Sequence, residues 1–311
     1  MPASRLILSF GSVNIDVTAR GQRLPTPGET VHADSYTIGL GGKGANQAAA
    51  AARLGSGRAI QSALVGRIGA DAFGAQARSS LETFGVELEA LRTDGNAATG
   101  LALIGIDQQA ENCITVVGGA NLHVDEHDIQ NAEHLFSRAA VLLLQLEVPV
   151  PAVLAAARKG RQAGARVILD PAPASTELLP DALWPLLDVI TPNETETAAL
   201  CGILPKSPED ADAATRLLLE RGTKAVIIKM GARGVYWRTD SAKGFLPPFP
   251  VKAVDSVGAG DCFNAGLAVA LADGLSFDAA VRVAAACGAL AVTKHGAAEA
   301  APEWNEVAAL L

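Results

Sequence analysis

Residues Val141 to Asp170 read VLLLQLEVPVPAVLAAARKGRQAGARVILD, and this stretch decides the fold. Val141–Leu146 reads as an apolar strand, Val150–Ala163 as a helix and Arg166–Asp170 as a second strand. Strands that are apolar on both faces and alternate with helices indicate a parallel sheet covered on both sides. The rhythm continues towards the C-terminus. Val189–Thr191 predicts a short strand, a helix starts at Glu194, another spans Pro208–Arg221, and Ala225–Met230 is again a continuous apolar strand. Helices over Ala259–Leu271 and Phe277–Thr293 close the pattern.

Towards the N-terminus, Leu6–Phe10 predicts a buried strand, Ala45–Leu54 an alanine-rich helix stopped by Gly55, Ile60–Val65 a strand and Ala72–Phe84 a helix. Ala19–Tyr36 is polar and turn-rich, with Pro25, Pro27 and Gly28, so it leaves the core and returns. Thr99–Ile106 and Asn112–Val117 alternate as two strands joined by a turn at Asp107–Glu111. The expectation is one α/β domain over residues 1–311, with a small β excursion from parts of 12–40 and 95–118.

The composition is that of a packed globular protein, with 311 residues, 49% of them hydrophobic. A formal charge of −8 argues against a binder of nucleic-acid backbone, which needs a basic face. It says nothing against single nucleotides. Cys113, Cys201, Cys262 and Cys287 form no C-x-x-C pair, so neither a zinc knuckle nor a disulfide framework is expected, and a reducing cytoplasm is the natural compartment. No targeting segment or membrane span is evident. His123 and His127 have a spacing that can bind metal on a helix, but the surrounding HVDEHDI reads more simply as a loop and a capped helix start.

Chemistry enters at Asp255–Cys262, DSVGAGDC, which runs straight into the apolar helix. A glycine-rich turn that opens a helix leaves N–H groups aimed outward, where the helix dipole favours an anion. Gly258 and Gly260 permit close approach of a ligand to the backbone. Asp261 falls in the first helical turn beside that site, where a carboxylate suits removal of a proton from a hydroxyl that attacks a phosphate. The plainer alternative is a helix cap and a tight turn. Gly39–Gly44, GLGGKG, formally matches a dinucleotide fingerprint, but no acidic residue falls about twenty positions later and the segment does not follow the first strand of a βαβ unit.

Two long signatures carry a resemblance: GGKGANQA at Gly41–Ala48 and DSVGAGDCFNAG at Asp255–Gly266. Between and around them stand GSVNID at Gly11–Asp16, PTPGET at Pro25–Thr30, LQLE at Leu144–Glu147, DPAPA at Asp170–Ala174 and TPNETE at Thr191–Glu196. The chain resembles the PfkB family of sugar kinases over nearly its whole length, and within it the kinases of ribose. The resemblance implies a three-layer α/β/α domain with a small β-sheet lid over the sugar, and lids that pair into homodimers. An exposed small sheet edge is in any case a pairing liability. The implied reaction is ATP-dependent phosphorylation of D-ribose at O5. Kinases of deoxyribose, fructose or a nucleoside are the nearer alternatives, and a non-catalytic sugar- or nucleotide-binding protein the more distant one. Aromatic residues make up only 4%, which gives little sign of a nucleoside-base pocket.

Asp261 is then expected to be the base, with the N–H groups of Gly258, Ala259 and Gly260 around the phosphoryl oxygens. Asn14 and Asp16 offer an amide and a carboxylate to sugar hydroxyls, or else form an Asx-turn at a strand exit. Gly42 lets the backbone approach, while Lys43 and Asn46 project donors. A lysine buried there is costly without a partner. Glu147, at the end of its strand, faces a ligand or solvent; the resemblance puts it on ribose. The resemblance also implies that Asn193 and Glu196 order Mg²⁺ through water, with helix capping as the other reading, and that Lys229, Gly231, Gly234 and Ala285 line the ATP site. Finally, it implies a K⁺ site of Asp255, Val257, Ala291, Lys294, Gly296 and position 300, where Ala300 stands in place of the family's serine.

Overall fold

The computed structural model describes residues 5–109, 111–174 and 179–311. Its central sheet has nine strands: β1 (Arg5–Phe10), β4 (Ile60–Gly69), β5 (Leu91–Asp94), β8 (Ala139–Leu144), β9 (Arg166–Leu169), β10 (Val189–Ile190), β11 (Ala225–Lys229), β12 (Val235–Thr239) and β13 (Lys243–Leu246). They lie in the order β13-β12-β11-β10-β9-β8-β1-β4-β5. From β11 to β5 the neighbours are parallel, while β12 runs antiparallel to both β11 and β13. A second sheet, of order β3-β2-β6-β7, comprises β2 (Asn14–Gly21), β3 (Ala33–Gly41), β6 (Gly100–Ile106) and β7 (Asn112–Val117).

Strand period sorts the core into two layers. Leu6, Leu8 and Phe10 of β1 face one side and pack on α3 (Glu126–Asn131), α4 (Glu133–Arg138), α5 (Val150–Gln162) and α7 (Pro208–Glu220). Ile7 faces the other side, with α1 (Lys43–Gly55), α8 (Ala259–Ala272), α9 (Phe277–Ala291) and α10 (Trp304–Leu310). Helix, sheet and helix make three layers. Helix α2 (Ala72–Thr83) packs Ala77 and Leu81 beneath Val13, Ile15 and Leu40 at the base of the second sheet, and α6 (Glu194–Cys201) follows β10. On the same sheet Tyr36, Leu103, Ile114 and Val116 remain exposed. Among the described residues no helix is long and apolar enough to cross a membrane.

The structure departs from the sequence-based expectation at a few elements. Strand β4 runs on to Gly69 through Arg67, because that buried guanidinium meets Asp128, with Nε 2.9 Å from Oδ2. The hairpin β12–β13, strand β5 and helices α4 and α10 are short elements without a strong apolar period, and the sequence did not announce them. His123 and His127 fall on different elements: His123 ends a short 3₁₀ turn and lies 2.9 Å from Asp94, while His127 belongs to α3. They share no helix face.

Candidate active site

The carboxyl ends of β1, β8, β9 and β11 converge where α/β sheets bind ligands. The chain leaves β1 through Ser12 and Asn14 and returns by β3 to the glycine pair that opens α1. Gly42 has φ 84°, and a Cβ there would lie 2.7 Å from the Asn14 nitrogen, so only glycine fits. Glu147, just beyond β8, accepts from the Lys43 N–H at 3.0 Å and from the Ser12 hydroxyl at 2.5 Å. It is therefore fixed at the N-terminus of α1, where the helix dipole favours its charge.

Asp261 is buried in the first turn of α8. Two amides from α1 hold it: Asn46 Nδ2 donates to Oδ2 and Gln47 Nε2 to Oδ1, each at 3.0 Å. Burial pushes the Asp261 carboxyl up to about 6, with Asp170 adding to the rise, while Lys43 and the two amides oppose it. Asp16, on β2, is also raised to about 6, first by burial and then by Glu147, Glu299 and Asp261. Lys43 answers this cluster. Burial alone would lower its ammonium, but Asp261, Asp170, Glu147 and Glu196 hold it above its ordinary range. A cation is thus held beside two carboxyls, Asp261 and Asp16, that burial raises to about 6, an arrangement able to hold and move a proton.

The turn before α8 is tight. Gly258 takes φ 72°, and a Cβ there would sit 2.6 Å from Ala297 Cα. Among the described residues, the N–H groups of Gly258 and Gly260 make no hydrogen bond within the protein, and Ala259 makes a long one to Ser256 at 3.4 Å. Lys229, at the end of β11, reaches this turn: a Cβ on Gly260 would lie 3.5 Å from its Nζ. Its ammonium is anchored to Asp170 at 2.9 Å. The result is a cationic, donor-rich cradle beside a carboxylate.

Asn193 and Glu196 form a reciprocal capping box at the start of α6, with Glu196 N–H to Asn193 Oδ1 at 2.9 Å and Asn193 N–H to Glu196 Oε2 at 2.8 Å. The capping role is thus realised. Burial also raises the Glu196 carboxyl, against the pull of Lys229. Gly231 opens a 3₁₀ turn in open space, whereas Gly234 is held by backbone crowding, its Cβ position lying 2.3 Å from the Leu246 oxygen. Ala285 is a partly buried residue of α9.

Asp255 draws the C-terminal loop inward, its two oxygens accepting from Val257 N–H at 3.1 Å and Gly296 N–H at 3.3 Å. Ala291 is buried. The Lys294 side chain turns away to Glu306, 2.7 Å from Oε1, which leaves its carbonyl as the group it could direct to the loop. Ala300 is fully buried in the apolar layer and offers no side-chain oxygen.

Three polar residues at the centre received no role from the sequence. Gln47 donates from one Nε2 to both Asp261 and Asp170, the latter at 3.2 Å, and Gln145 Nε2 donates to Gln47 Oε1 at 2.7 Å. Gln47, Gln145 and Asp170 all lie inside quoted motifs, so the signal was present. Gln145 interrupts an apolar strand while being fully buried, and that is the sign by which it could have been found.

Comparison with known proteins places the arrangement. A sequence model described as the pfkB family carbohydrate kinase matches residues 4–304. A ribokinase of Haemophilus influenzae is 37% identical over 297 residues, 96% of this chain and 95% of its own. A deoxyribokinase of Salmonella typhi is 33% identical over 308 residues, 98% of this chain and 99% of its own. Among solved structures, the Arabidopsis thaliana ribokinase complexed with ribose and ATP superposes with a TM-score of 0.89 at 33% identity, covering 99% of this chain and 98% of that one.

Proposed function

The chain belongs to the pfkB family of carbohydrate kinases, and from that premise we propose that it transfers the γ-phosphoryl group of ATP to the 5-hydroxyl of D-ribose. The observation that carries this reading is the placement of Asp261. In this reading it stands between residues that would meet the sugar (Asn14, Asp16, Lys43, Asn46 and Glu147) and a cradle that would meet the phosphates, Gly258–Gly260 and Lys229. The Arabidopsis ribokinase bound to ribose and ATP supports both substrates.

In this reading the 5-hydroxyl gives its proton to Asp261 as its oxygen bonds to the γ-phosphorus, and the bond to ADP breaks. The N–H groups of Gly258, Ala259 and Gly260 receive the phosphoryl oxygens, each such donor contributing about 3 kcal/mol in comparable sites. Lys229 lines the same phosphates, with Gly231 and Gly234 shaping the nucleotide side and Ala285 packing near the base.

The oxygen-rich donors near the phosphates suit a hard cation. Asn193 and Glu196 would hold Mg²⁺ through water, and the ion supplies charge neutralisation to the phosphates. The Asp255 carboxylate ties the turn before α8 to the loop after α9, and with the carbonyls of Val257, Ala291, Lys294 and Gly296 it would offer K⁺ an all-oxygen donor set. Ala300 contributes nothing but packing there. The exposed apolar side chains of the second sheet support its use as a lid that pairs two copies into a homodimer around a single kinase domain. Four free cysteines accord with a cytoplasmic setting.

The test is ADP release measured over a panel of pentoses, hexoses and nucleosides, with ribose expected to give the highest kcat/KM. The deoxyribokinase relative gives a second reading its support, and 2-deoxyribose leading the panel would establish it.

A further inference from the structure

Asn14 is expected to meet the sugar through its side-chain amide, and an amide presents either a donor or an acceptor. Which face it presents is set by a residue outside every motif quoted above. Asn121 lies in the 3₁₀ turn Gly119–His123 and is buried. Its Oδ1 accepts from the Val13 N–H at 2.8 Å. A backbone N–H can only donate, so that atom must be the oxygen. Asn121 Nδ2 is thereby turned to the other side, where it donates to the Val13 carbonyl at 3.1 Å and to Asn14 Oδ1 at 2.7 Å. Asn14 must then turn its own Nδ2 away from Asn121, and among the described residues that nitrogen has no partner within the protein. Gly100, opposite Asn14 in the β2–β6 pairing, leaves the room: a Cβ there would lie 2.1 Å from Asn14 Oδ1 and 2.3 Å from Asn121 Nδ2.

We propose that Asn121 is a positioning residue for sugar specificity, locking Asn14 as a hydrogen-bond donor in the sugar cleft. The inference rests on the reading of Asn14 as a sugar ligand. Its consequence follows from β2. Asn14 and Asp16 are two apart on one strand, so their side chains share a face. Asp16 as a carboxylate only accepts, and Asn14 so locked only donates. A sugar hydroxyl has one proton and two lone pairs, so it satisfies this pair by giving to Asp16 and receiving from Asn14. Were Asn14 turned over, one proton would face two acceptors. A sugar lacking that hydroxyl leaves both groups unpaired, Asn14 buried and Asp16 half-buried.

The experiment compares the full-length wild type, Asn14→Ala, Asn121→Asp and the double variant, with ribose and a set of singly deoxygenated pentoses. Asn121→Asp keeps the acceptor for the Val13 N–H but replaces the donor, so Asn14 turns its nitrogen inward and presents oxygen to the cleft. The expected result is a ribose KM raised about tenfold, an ATP KM that stays put, and discrimination against one deoxy sugar reduced by a similar factor while discrimination against the others holds. In the Asn14→Ala background the Asn121→Asp change should add nothing to the ribose KM. A full effect persisting in that background, or an unchanged ribose KM in Asn121→Asp while Asn14→Ala raises it, overturns the inference alone. An unchanged ribose KM in Asn14→Ala overturns the reading of Asn14 and the inference with it. Should the aspartate variant not fold, Asn121→Ser, too short to span Val13 and Asn14, is read against the same outcomes.

Discussion

Gln47 Nε2 lies 3.0 Å from Asp261 Oδ1, joining helices α1 and α8 across 214 residues of sequence. The same nitrogen serves Asp170, and Gln145 fixes the amide from behind. An amide in this place does what a lysine could not, since it steadies the carboxylate without neutralising it. The Asp261 carboxylate is therefore held by two amides and surrounded by groups that set when it ionises.

The pH dependence follows from those groups. Asp261 works as a base only when deprotonated, and burial has raised its carboxyl to about 6. kcat/KM should therefore rise with pH through about 6 and level off above it. Asp16 titrates in the same range and adjoins Asp261 electrostatically, so the acid limb belongs to the pair. Replacing Gln47 by leucine removes a hydrogen bond that favours the ionised form and should shift the limb to higher pH. Rate profiles between pH 5 and 8 decide it; a Gln47→Leu limb at or below that of the wild type contradicts the account.

A methyl group at position 258 should be badly tolerated. The left-handed backbone there costs a non-glycine residue about 1–2 kcal/mol, and the new Cβ would press on Ala297. If the turn carries the donors for the phosphoryl group, as proposed, kcat should fall by about 10². Gly258→Ala with wild-type kcat and melting temperature would show that the turn has slack that the backbone geometry denies.

Ribose should be preferred over 2-deoxyribose. Removing a hydroxyl leaves partners such as buried Asn14 and half-buried Asp16 unpaired, at a cost of about 1–3 kcal/mol. Competition of the two sugars under equal concentration reads the ratio of kcat/KM. Equality would point to the deoxyribose reading.

What the sequence disclosed and what it withheld divide along one line. Glycine turns, alanine-rich helices and apolar strands are local signals, so α1, α8 and the parallel strands other than β5 could be read, as could the position of Asp261 in a first helical turn. Hydrogen-bond partners are not local. Nothing near Glu147 announces that it caps α1 through Lys43, 104 residues away, or that Asn121 orients Asn14 across 107 residues. The capping box at Asn193 and Glu196 was legible because both partners lie within one turn. The strand expected over Ile60–Val65 runs on to Gly69, since Asp128, which receives the Arg67 charge, is brought alongside only by the fold.

Potassium should activate the enzyme. Asp255 already gathers Val257 and Gly296, and a cation in that loop would stiffen the turn whose N–H groups face the phosphoryl. With Ala300 supplying no side-chain oxygen, the concentration needed should exceed that of a relative with serine there; Ala300→Ser should lower it. Initial rates in potassium against sodium salt at equal ionic strength provide the check. Superimposable titrations would remove the cation site and leave the kinase intact.

The central claim is that Asp261 takes the proton from the sugar hydroxyl. Asp261→Asn retains the shape and hydrogen-bonding size of the side chain but not its basicity. With saturating ribose and ATP at neutral pH, the account predicts a kcat lower by about 10²–10⁴, with ribose still bound at close to wild-type affinity by calorimetry. A variant that keeps near-normal kcat contradicts it.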